Sequence, residues 1–346
     1  AELFAPLRDR AGVALAVSGG PDSSALLILY ARAARVDPRL PQAFVLTVDH
    51  RLRPEAAAEA RAVAALADRH GFPHRTLVRQ GDKPAANLQA EARRARYDLL
   101  FDAARDLGLD AVVTAHHAED QAETFLARLA RGSGVVGLAA MARTRTIDGL
   151  MLFRPFLDLA KARLAATLVD AGESWIEDPS NRDPRFDRVR LRDAAPLLAD
   201  LGLTRDRLTA TARAMARAAA AIEGEVEAAI RDFVVVHDGG WATVVPEGFA
   251  ALPEELRLRL LSRLTRAIGG ADYGPRLEAL EDLAAAFSGG DGRATIAART
   301  LAGVRVEQRA GRIFLSAERG RGAPPTLVLA PGAQGRWRGR RVGLAA

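Results

Sequence analysis

Residues 13–23 read VALAVSGGPDS, and this stretch decides the fold. The apolar run 13–17 is typical of a buried strand, and the pattern over 22–35 predicts an apolar-faced helix. Gly19 and Gly20 lie between the two, where a backbone without side chains can approach a ligand and adopt positive φ. Successive N–H groups in such a turn, followed by the positive end of a helix, bind anions. The stretch therefore predicts a strand, a phosphate-binding loop and a helix.

The side chains of the loop suit the same ligand. The hydroxyls of Ser18 and Ser23 can donate to phosphate oxygens, and Asp22 either caps the helix or reaches a Mg²⁺ ion bound to the phosphates. The loop has neither the Gly-Lys-Ser/Thr ending of a Walker A motif nor the Gly-x-Gly-x-x-Gly pattern of dinucleotide sites. A plain Gly-Gly turn capped by Asp22 is the alternative, and the strand and helix on either side favour phosphate binding. The predicted nucleotide-binding residues here are Ser18, Gly19, Gly20, Asp22 and Ser23.

Short apolar runs continue to alternate with helical patterns along the first half of the chain. Strands are predicted at Ala43–Val48, Arg75–Val78 and Ala111–Thr114, and helices at about 55–70, 88–107 and 118–131. This alternation is typical of an α/β fold with a doubly wound, mainly parallel sheet, in which ligands bind at the carboxyl ends of the strands. We predict a Rossmann-like catalytic domain at 1–200, a smaller helical, α+β domain at 201–318, and a basic segment at 319–346.

Composition excludes several classes of protein. The 346 residues include no cysteine, which excludes disulfides, thiolate metal sites and thiol nucleophiles. The formal net charge is +6, and the six arginines of residues 319–346 account for all of it. Net charge therefore gives no argument that residues 1–318 bind nucleic acid. No secretory signal or membrane-spanning run is recognised, so a cytoplasmic location is expected.

Polar residues follow the second and fourth predicted strands. Asp49 and His50 are predicted to lie near the nucleoside of a bound nucleotide. His116 is predicted to contact phosphate or orient the site. Asp120 and Glu123 are three apart on the following helix and share a face. Two carboxylates there could hold a cationic amine, and one could accept its proton; a solvated acidic helix start is the alternative.

The third predicted helix adds charged residues of its own. Glu91, Arg93 and Arg96 could bind a carboxylate or neutralise phosphate charge in a transition state. A solvated pair of arginines on the helix surface is an equally good interpretation of Arg93 and Arg96. His117, next to His116, is interpreted as structural.

Two arginine-rich patches are candidates for contact with nucleic acid. The first comprises Arg128, Arg131, Arg143 and Arg145, and the second Arg182, Arg185, Arg188, Arg190 and Arg192. Such patches can position phosphates around a splayed loop base, although a charge run is usually a solvated face. The residues we predict to bind the substrate here are Arg128, Arg131, Arg188 and Arg190.

Six motifs follow one another along the chain: the loop SGGPDS at 18–23, VDHRLR at 48–53, NLQAEARRARY at 87–97, TAHHAEDQAET at 114–124, RPF at 154–156 and WIEDPSN at 175–181. Taken together, they resemble the motifs of the tRNA(Ile)-lysidine synthetases of the ATP-pyrophosphatase (PP-loop) superfamily. The resemblance is strong over residues 12–195 and loose from there to about 318.

The resemblance implies an ATP-dependent modification of tRNA. The 2-oxo oxygen of the wobble cytidine in an isoleucine tRNA with a CAU anticodon attacks the α-phosphate of ATP, and the ε-amine of free L-lysine then displaces AMP to give lysidine. It implies ATP and Mg²⁺ as cofactors, no membrane partner, and leaves a homodimer open. Catalytic roles fall on Asp120, Glu123, His116 and Arg93, and substrate binding on Arg96 and Glu91.

The chain departs from the family pattern at three places. Val189 follows Arg188 where an Asn is typical, Glu119 stands where Asp is common, and residues 335–340 look like the start of a longer C-terminal domain. A thiolating enzyme of the same superfamily is disfavoured because such enzymes typically use cysteines. An amide-forming synthetase and a non-catalytic RNA- or nucleotide-binding module remain as alternatives.

Overall fold

The computed structural model describes residues 2–49, 56–79, 88–176, 187–270, 274–288, 295–318, 334–337 and 340–343. Contacts between residues divide the chain into two compact units, Ala1–Ala218 and Ala219–Ala346. Each unit has its own sheet and its own hydrophobic core. No helix in these described ranges is both long enough and apolar enough to cross a membrane.

The first unit alternates strands with helices. After a 3₁₀ helix at Glu2–Leu7, its strands are β1 (Val13–Ala16), β2 (Ala43–Asp49), β3 (His74–Val78), β4 (Ala111–Val113), β5 (Thr144–Ile147) and β6 (Leu150–Phe153). Its helices are α1 (Pro21–Val36), α2 (Ala56–Arg69), α3 (Leu88–Asp106), α4 (Ala118–Leu129), α5 (Val135–Leu138), α6 (Lys161–Asp170), α7 (Asp187–Asp193) and α8 (Ala195–Asp200). The long helix α9 (Arg205–Phe233) begins in this unit and ends in the second.

The sheet of the first unit confirms the doubly wound prediction. Its strand order is β3-β2-β1-β4-β6-β5, and every pairing is parallel except that of β5 with β6. The chain runs outward from β1 through β2 to β3 and then returns to the other side of β1 with β4. The switch point of the topology therefore lies between β1 and β4, where ligands bind in open α/β sheets.

Alternate residues of the central strands pack against opposite layers. Leu15 and Val113 belong to the core formed with α1, α2 and α6, whereas Ala14 and Val112 belong to the core formed with α3. All four side chains are fully buried. Because both faces of the sheet are covered, these strands appear in the sequence as continuous apolar runs rather than alternating ones.

The second unit combines helices with an antiparallel sheet, which confirms a smaller α+β domain. Its helices are α10 (Pro246–Ala251), α11 (Glu254–Gly269) and α12 (Leu277–Ser288). The strands β7 (Val234–His237), β8 (Trp241–Val244), β9 (Ile296–Leu301), β10 (Val304–Arg309) and β11 (Arg312–Ala317) form a sheet of order β7-β8-β11-β10-β9. A separate hairpin pairs β12 (Gln334–Trp337) with β13 (Arg340–Gly343).

Candidate functional site

The loop after β1 is shaped to receive an anion. Gly19 adopts φ +87°, and Gly20 is the N-cap of α1 and carries no side chain that could cap it. The hydroxyl of Ser23 accepts a hydrogen bond from the Ser18 N–H at 3.1 Å and donates to the Gly20 carbonyl at 3.1 Å. The Ser18 and Ser23 hydroxyl oxygens lie 3.2 Å apart. The loop is therefore held by its own serines, and the first turn of α1 presents N–H groups of the kind that bind phosphate.

A cleft of about 290 Å³ lies beside the loop. Gly19 lines it together with Val63, Leu66 and Trp175. The Ile176 N–H donates to the Gly19 carbonyl at 2.9 Å, which fixes the wall of the cleft to the loop. A Cβ atom on Gly19 would lie only 2.7 Å from Ile176 Cδ1. The close approach of this segment, as well as the positive φ, therefore requires glycine at this position.

Asp22 lies in the first turn of α1 and does not cap it, which corrects the capping interpretation of this residue. Gly20 is the N-cap, two residues earlier. The Oδ1 atom of Asp22 is buried and has no hydrogen-bond partner within the described part of the chain. Its Oδ2 atom lies 3.5 Å from Nε2 of His117. Asp22 thus has one oxygen that is free to meet a cation and one that contacts the helix after β4.

His117 connects the two sides of the switch point. Its Nδ1 lies 3.0 Å from Glu119 Oε2, and its Nε2 lies 3.4 Å from Asp120 Oδ2 and 3.5 Å from Asp22 Oδ2. Burial lowers the pKa of His117, but the hydrogen bonds to Asp22 and Glu119 and the charge of Asp120 outweigh it and raise the pKa to about 9. His117 is therefore a buried cation among three carboxylates at neutral pH.

Glu119 completes this arrangement. Its carboxylate also accepts from the Lys161 N–H at 2.9 Å and from Arg205 Nη1 at 3.0 Å. Burial raises the pKa of Glu119, but the His117, Lys161 and Arg205 donors outweigh it and lower the pKa to about 2. Glu119 is therefore fully charged and anchors α4 to its neighbours.

Asp120 and Glu123 are both buried on the same face of α4, as their spacing predicts. Asp120 accepts the His117 N–H at 3.1 Å and lies 3.9 Å from both Arg188 Nη1 and Arg192 Nη2. Glu123 is bound by Arg192, with Nε 2.5 Å from Oε1. The two carboxylates face the arginines of α7 and not solvent, so the alternative of a solvated acidic helix start does not describe them.

His116 is neutral. It is 9% exposed, and burial lowers its pKa; the charges of Arg154, Arg93 and Arg96 lower it further, against the opposing charge of Asp120. Its Nδ1 lies 2.9 Å from the hydroxyl of Thr114, directly after β4. A neutral imidazole held by this contact can orient a ligand but brings no charge to a phosphate.

Arg93 and Arg96 both lie over the ring of Tyr97. On α3, Arg96 directly precedes Tyr97, and Arg93 lies one helical turn before it. Their Cζ atoms are 5.2 and 5.5 Å from the ring centroid. Both side chains are half-buried, so the solvated-pair interpretation does not describe them. Glu91, in the first turn of α3, is exposed.

The remaining predicted residues are spread more widely. Arg128 is half-buried and donates from Nη1 to the carbonyls of Gly137 at 2.7 Å and Ala140 at 2.8 Å, which ties α4 to α5. Arg131 and Arg190 are exposed. Asp49 ends β2, the strand next to β1, and is half-buried. His50, Arg182 and Arg185 lie outside the described residues.

The sequence predicts no individual role for three residues in this region. Arg192 belongs to an arginine patch, Tyr97 ends a motif, and Arg154 begins the RPF motif. Arg154 directly follows β6, whose neighbour β4 precedes His116. A strand-end position next to β4 was the available signal for Arg154, because the carboxyl ends of parallel strands meet at one edge.

The arrangement combines an anion-binding loop, a buried pair of carboxylates, the buried Arg154 and several half-buried arginines at one switch point. These are the parts needed to hold a triphosphate, bind a cationic amine and balance the charge of a phosphate during transfer. A PP-loop domain family model matches residues 1–197.

Known proteins share both the sequence and the fold. The chain is 47% identical over 314 residues to a tRNA(Ile)-lysidine synthase of Methylobacterium sp. (strain 4-46), covering 89% of each chain. It is 47% identical over 321 residues to a tRNA(Ile)-lysidine synthase of Rhodopseudomonas palustris, covering 90% of this chain and 92% of the relative. A U34-tRNA thiolase, NcsA, from Methanococcus maripaludis superposes with a TM-score of 0.52 at 13% identity, covering 61% of this chain and 73% of that one, which reflects a shared fold alone. On the strength of the two close relatives and of the PP-loop match, the chain belongs to the tRNA(Ile)-lysidine synthase family.

Proposed function

We propose that this protein adenylates the wobble cytidine of an isoleucine tRNA with a CAU anticodon and then joins free L-lysine to it, forming lysidine. Family membership supports the reaction. The observation that carries it to this chain is the position of the loop, where Ser18, Gly19 and Ser23 lie at the switch point and Asp22 contacts the helix that bears Asp120. Phosphate and amine sites on opposite sides of one switch point suit a two-step transfer.

In the first step, the 2-oxo oxygen of the cytidine forms a bond to the α-phosphorus of ATP, and the bond from that phosphorus to pyrophosphate breaks. We assign the leaving pyrophosphate to the N–H groups of the first turn of α1 and to the hydroxyls of Ser18 and Ser23. The N–H groups are fixed before the substrate arrives, so they cost little reorganisation. The Ser23 hydroxyl must first turn away from the Gly20 carbonyl, to which it donates. Asp49 is proposed to lie near the nucleoside, because β2 ends beside β1, and the same proposal extends to His50.

Mg²⁺ is the proposed metal cofactor. The residues fit it, because carboxylate and phosphate oxygens are its preferred ligands and Asp22 has a buried oxygen without a partner. Within the described ranges there is no group of three or more His, Asp or Glu side chains that could hold a metal. Asp22 would be the residue that holds the ion, which would supply positive charge to offset that of pyrophosphate.

In the second step, the lysine ε-amine forms a bond to the ring carbon C2, and the bond from that carbon to the oxygen of AMP breaks. We assign the cationic amine to Asp120 and the removal of its proton to Glu123. Burial raises the pKa of Glu123, although Arg192 opposes this rise, and a raised pKa makes a carboxylate a stronger base. Arg192 now occupies the place beside Glu123 that the cationic amine would take.

The remaining roles concern the tRNA. Arg131 and Arg190 are exposed and Arg188 half-buried, so all three are proposed to contact phosphates of the anticodon loop. Arg128 keeps its proposed place in the RNA-binding surface, although its two carbonyl contacts make it a support for α5 as well. We also propose that residues 1–200 form the catalytic domain and that residues 201–318 form a second, helix-rich domain. The proposed location is the cytoplasm, and the proposed assembly is a homodimer.

The test is a pair of assays with purified protein, ATP and Mg²⁺. Pyrophosphate exchange into ATP reports adenylation, and incorporation of labelled lysine reports the second step. The substrate is an isoleucine tRNA with a CAU anticodon, and the control is a methionine tRNA with the same anticodon. Incorporation of lysine into the isoleucine tRNA but not into the methionine tRNA supports the proposal.

Two results would contradict it. Adenylation without lysine transfer would keep the PP-loop chemistry and exclude lysine as the nucleophile. Equal modification of both tRNAs would exclude specificity for the isoleucine tRNA.

A further inference from the structure

Three arginines surround one tyrosine beside the switch point. We call Arg93, Arg96 and Arg154, together with Tyr97, the arginine–tyrosine cluster. Arg93 and Arg96 lie over the Tyr97 ring at 5.2 and 5.5 Å. The charge of Arg154 also acts on Tyr97, so all four side chains are near one another. The cluster thus concentrates three positive charges around one phenol.

Polar atoms of this cluster are buried without partners. Arg154 is 6% exposed, and its Nη1 donates to the Ala142 carbonyl at 2.7 Å, but its Nε has no hydrogen-bond partner in the described residues. The Tyr97 hydroxyl is likewise buried. Arg96 and Arg154 approach it but can only donate, so the hydroxyl's own hydrogen has no acceptor among the described residues. A buried donor that makes no hydrogen bond is unfavourable. Two such donors in one cluster indicate a ligand that supplies the acceptors.

Charge in the cluster is also poorly balanced. Burial lowers the pKa of Arg96 and of Arg154, which is the cost of holding these cations away from water. Burial raises the pKa of Tyr97, but the charges of Arg93, Arg96 and Arg154 outweigh it and lower the pKa below its ordinary value. Buried cations without counter-ions are unfavourable. The positive charge of the three arginines therefore favours the binding of an anion at this cluster.

The cluster lies next to the proposed reaction site. The negative charge of Asp120 raises the pKa of His116, and the positive charges of Arg154, Arg93 and Arg96 lower it. His116 therefore lies near both Asp120 and the cluster. The Thr114 N–H, two residues before His116, donates to the Phe153 carbonyl, one residue before Arg154, at 2.9 Å. The strand ends of β4 and β6 thus hold His116 and the cluster side by side.

We propose that Tyr97 and Arg154 complete, with Arg93 and Arg96, a binding site for an oxyanion of the reacting substrates. The proposal rests on the function proposed above, which supplies two oxyanions: the phosphate that is transferred to cytidine and the carboxylate of lysine. The guanidinium groups balance the charge, and the Tyr97 hydroxyl and Arg154 Nε donate the hydrogen bonds that they do not make within the protein. Tyr97 and Arg154 are thereby assigned as substrate-binding residues.

The decisive variant is Tyr97→Phe, which removes only the hydroxyl. Its control is Tyr30→Phe, because the Tyr30 hydroxyl is also buried but donates to the Pro41 carbonyl at 2.6 Å. We expect Tyr97→Phe to fold normally and to lose about tenfold in kcat/KM, in line with the loss of one hydrogen bond to a charged group. Tyr30→Phe should lose stability and keep its kinetics.

The two oxyanions are distinguished by substrate. If the anion is the lysine carboxylate, Tyr97→Phe raises the KM for L-lysine about tenfold and leaves the kinetics with lysinamide unchanged, because lysinamide has no carboxylate. If the anion is the transferred phosphate, the variant slows pyrophosphate exchange and leaves the KM for lysine unchanged. Unaltered kinetics in both assays would overturn the proposal.

A binding measurement separates this proposal from the proposed function. Inorganic phosphate should raise the unfolding temperature of the wild-type protein more than that of Tyr97→Phe or Arg154→Gln, since both variants keep the loop of residues 18–23 intact. This result would support the anion site even if no lysine were transferred. Equal stabilisation of the wild type and both variants by phosphate, together with an unchanged KM for L-lysine in Tyr97→Phe, would overturn the site even if the protein proved fully active.

Discussion

Arg192 binds both carboxylate oxygens of Glu123, with Nε 2.5 Å from Oε1 and Nη2 3.2 Å from Oε2. Glu123 is 6% exposed, so the guanidinium is its main compensation for burial. Burial raises the pKa of Glu123, and Arg192 opposes that rise. The pair therefore sets the pH above which Glu123 is charged.

Arg192→Gln should move the acid limb of the lysine-transfer pH profile to higher pH. Removing this cation takes away the main opposition to burial and leaves only the more distant charge of Arg188, so the pKa of Glu123 rises further. The measurement is the rate of lysine incorporation between about pH 5 and 8 at saturating substrates. Arg217→Gln is the control, because Arg217 is exposed and, among the described residues, donates only to the Arg213 carbonyl. An unshifted acid limb would mean that Glu123 is not the group that takes the proton.

Gly19→Ala should abolish pyrophosphate exchange, whereas Gly149→Ala should not. Both glycines have positive φ, +87° and +85°, so each substitution costs about 1–2 kcal/mol of backbone strain. Of the two, only Gly19 has a close neighbour for the added Cβ, Ile176 Cδ1 at 2.7 Å. At Gly149 no atom of the described residues lies within 4 Å of the added Cβ. Thermal unfolding should report a loss for both variants, the larger one for Gly19→Ala because of the added contact, and the exchange assay should show loss of activity for Gly19→Ala alone. Equal exchange by both would show that the loop tolerates the displacement.

The sequence predicted the first sheet well because β1 and β4 are buried on both faces and therefore read as apolar runs. It did not predict β5, whose residues Thr144, Arg145 and Thr146 are exposed on the edge of the sheet. An edge strand of this kind carries no apolar pattern to recognise. The formation of β5 depends on its pairing with β6, which is a tertiary contact.

The site was predictable where chemistry follows local spacing. The loop of residues 18–23 and the shared face of Asp120 and Glu123 both follow from neighbouring residues. The partner of Glu123 does not, because Arg192 lies 69 residues further along the chain. The approach of Arg154 to Tyr97 likewise depends on how β6 and α3 pack, and no local pattern encodes it.

His117 should make the stability of the protein fall between about pH 6.5 and 9. Its pKa is raised to about 9 in the folded state, from an unfolded value near 6.5. A raised pKa adds stability that is complete below the unfolded pKa and is lost as the pH rises through the folded pKa. The contribution is on the order of 3 kcal/mol at most. Urea unfolding at pH 6.5 and pH 9 measures it.

The matching variant is His117→Gln, which should be less stable than the wild type at pH 6.5 and should lose less stability by pH 9. His237→Gln, in the second unit, serves as the control for a histidine that lies outside this site. If the wild type and His117→Gln respond to pH in parallel, the three carboxylates around His117 do not hold its proton.

Asp120→Asn should reduce lysine incorporation about a hundredfold or more and disturb folding little. The amide is neutral and cannot pair with the cationic amine, but its oxygen can still accept the His117 N–H that Asp120 accepts at 3.1 Å. The comparison is Asp206→Asn, also in the first turn of a helix but with a side chain 80% exposed. Lysine incorporation and urea unfolding on the same preparations separate the two roles. Near-normal incorporation by Asp120→Asn would remove Asp120 from the amine site and leave it as the residue that holds the start of α4.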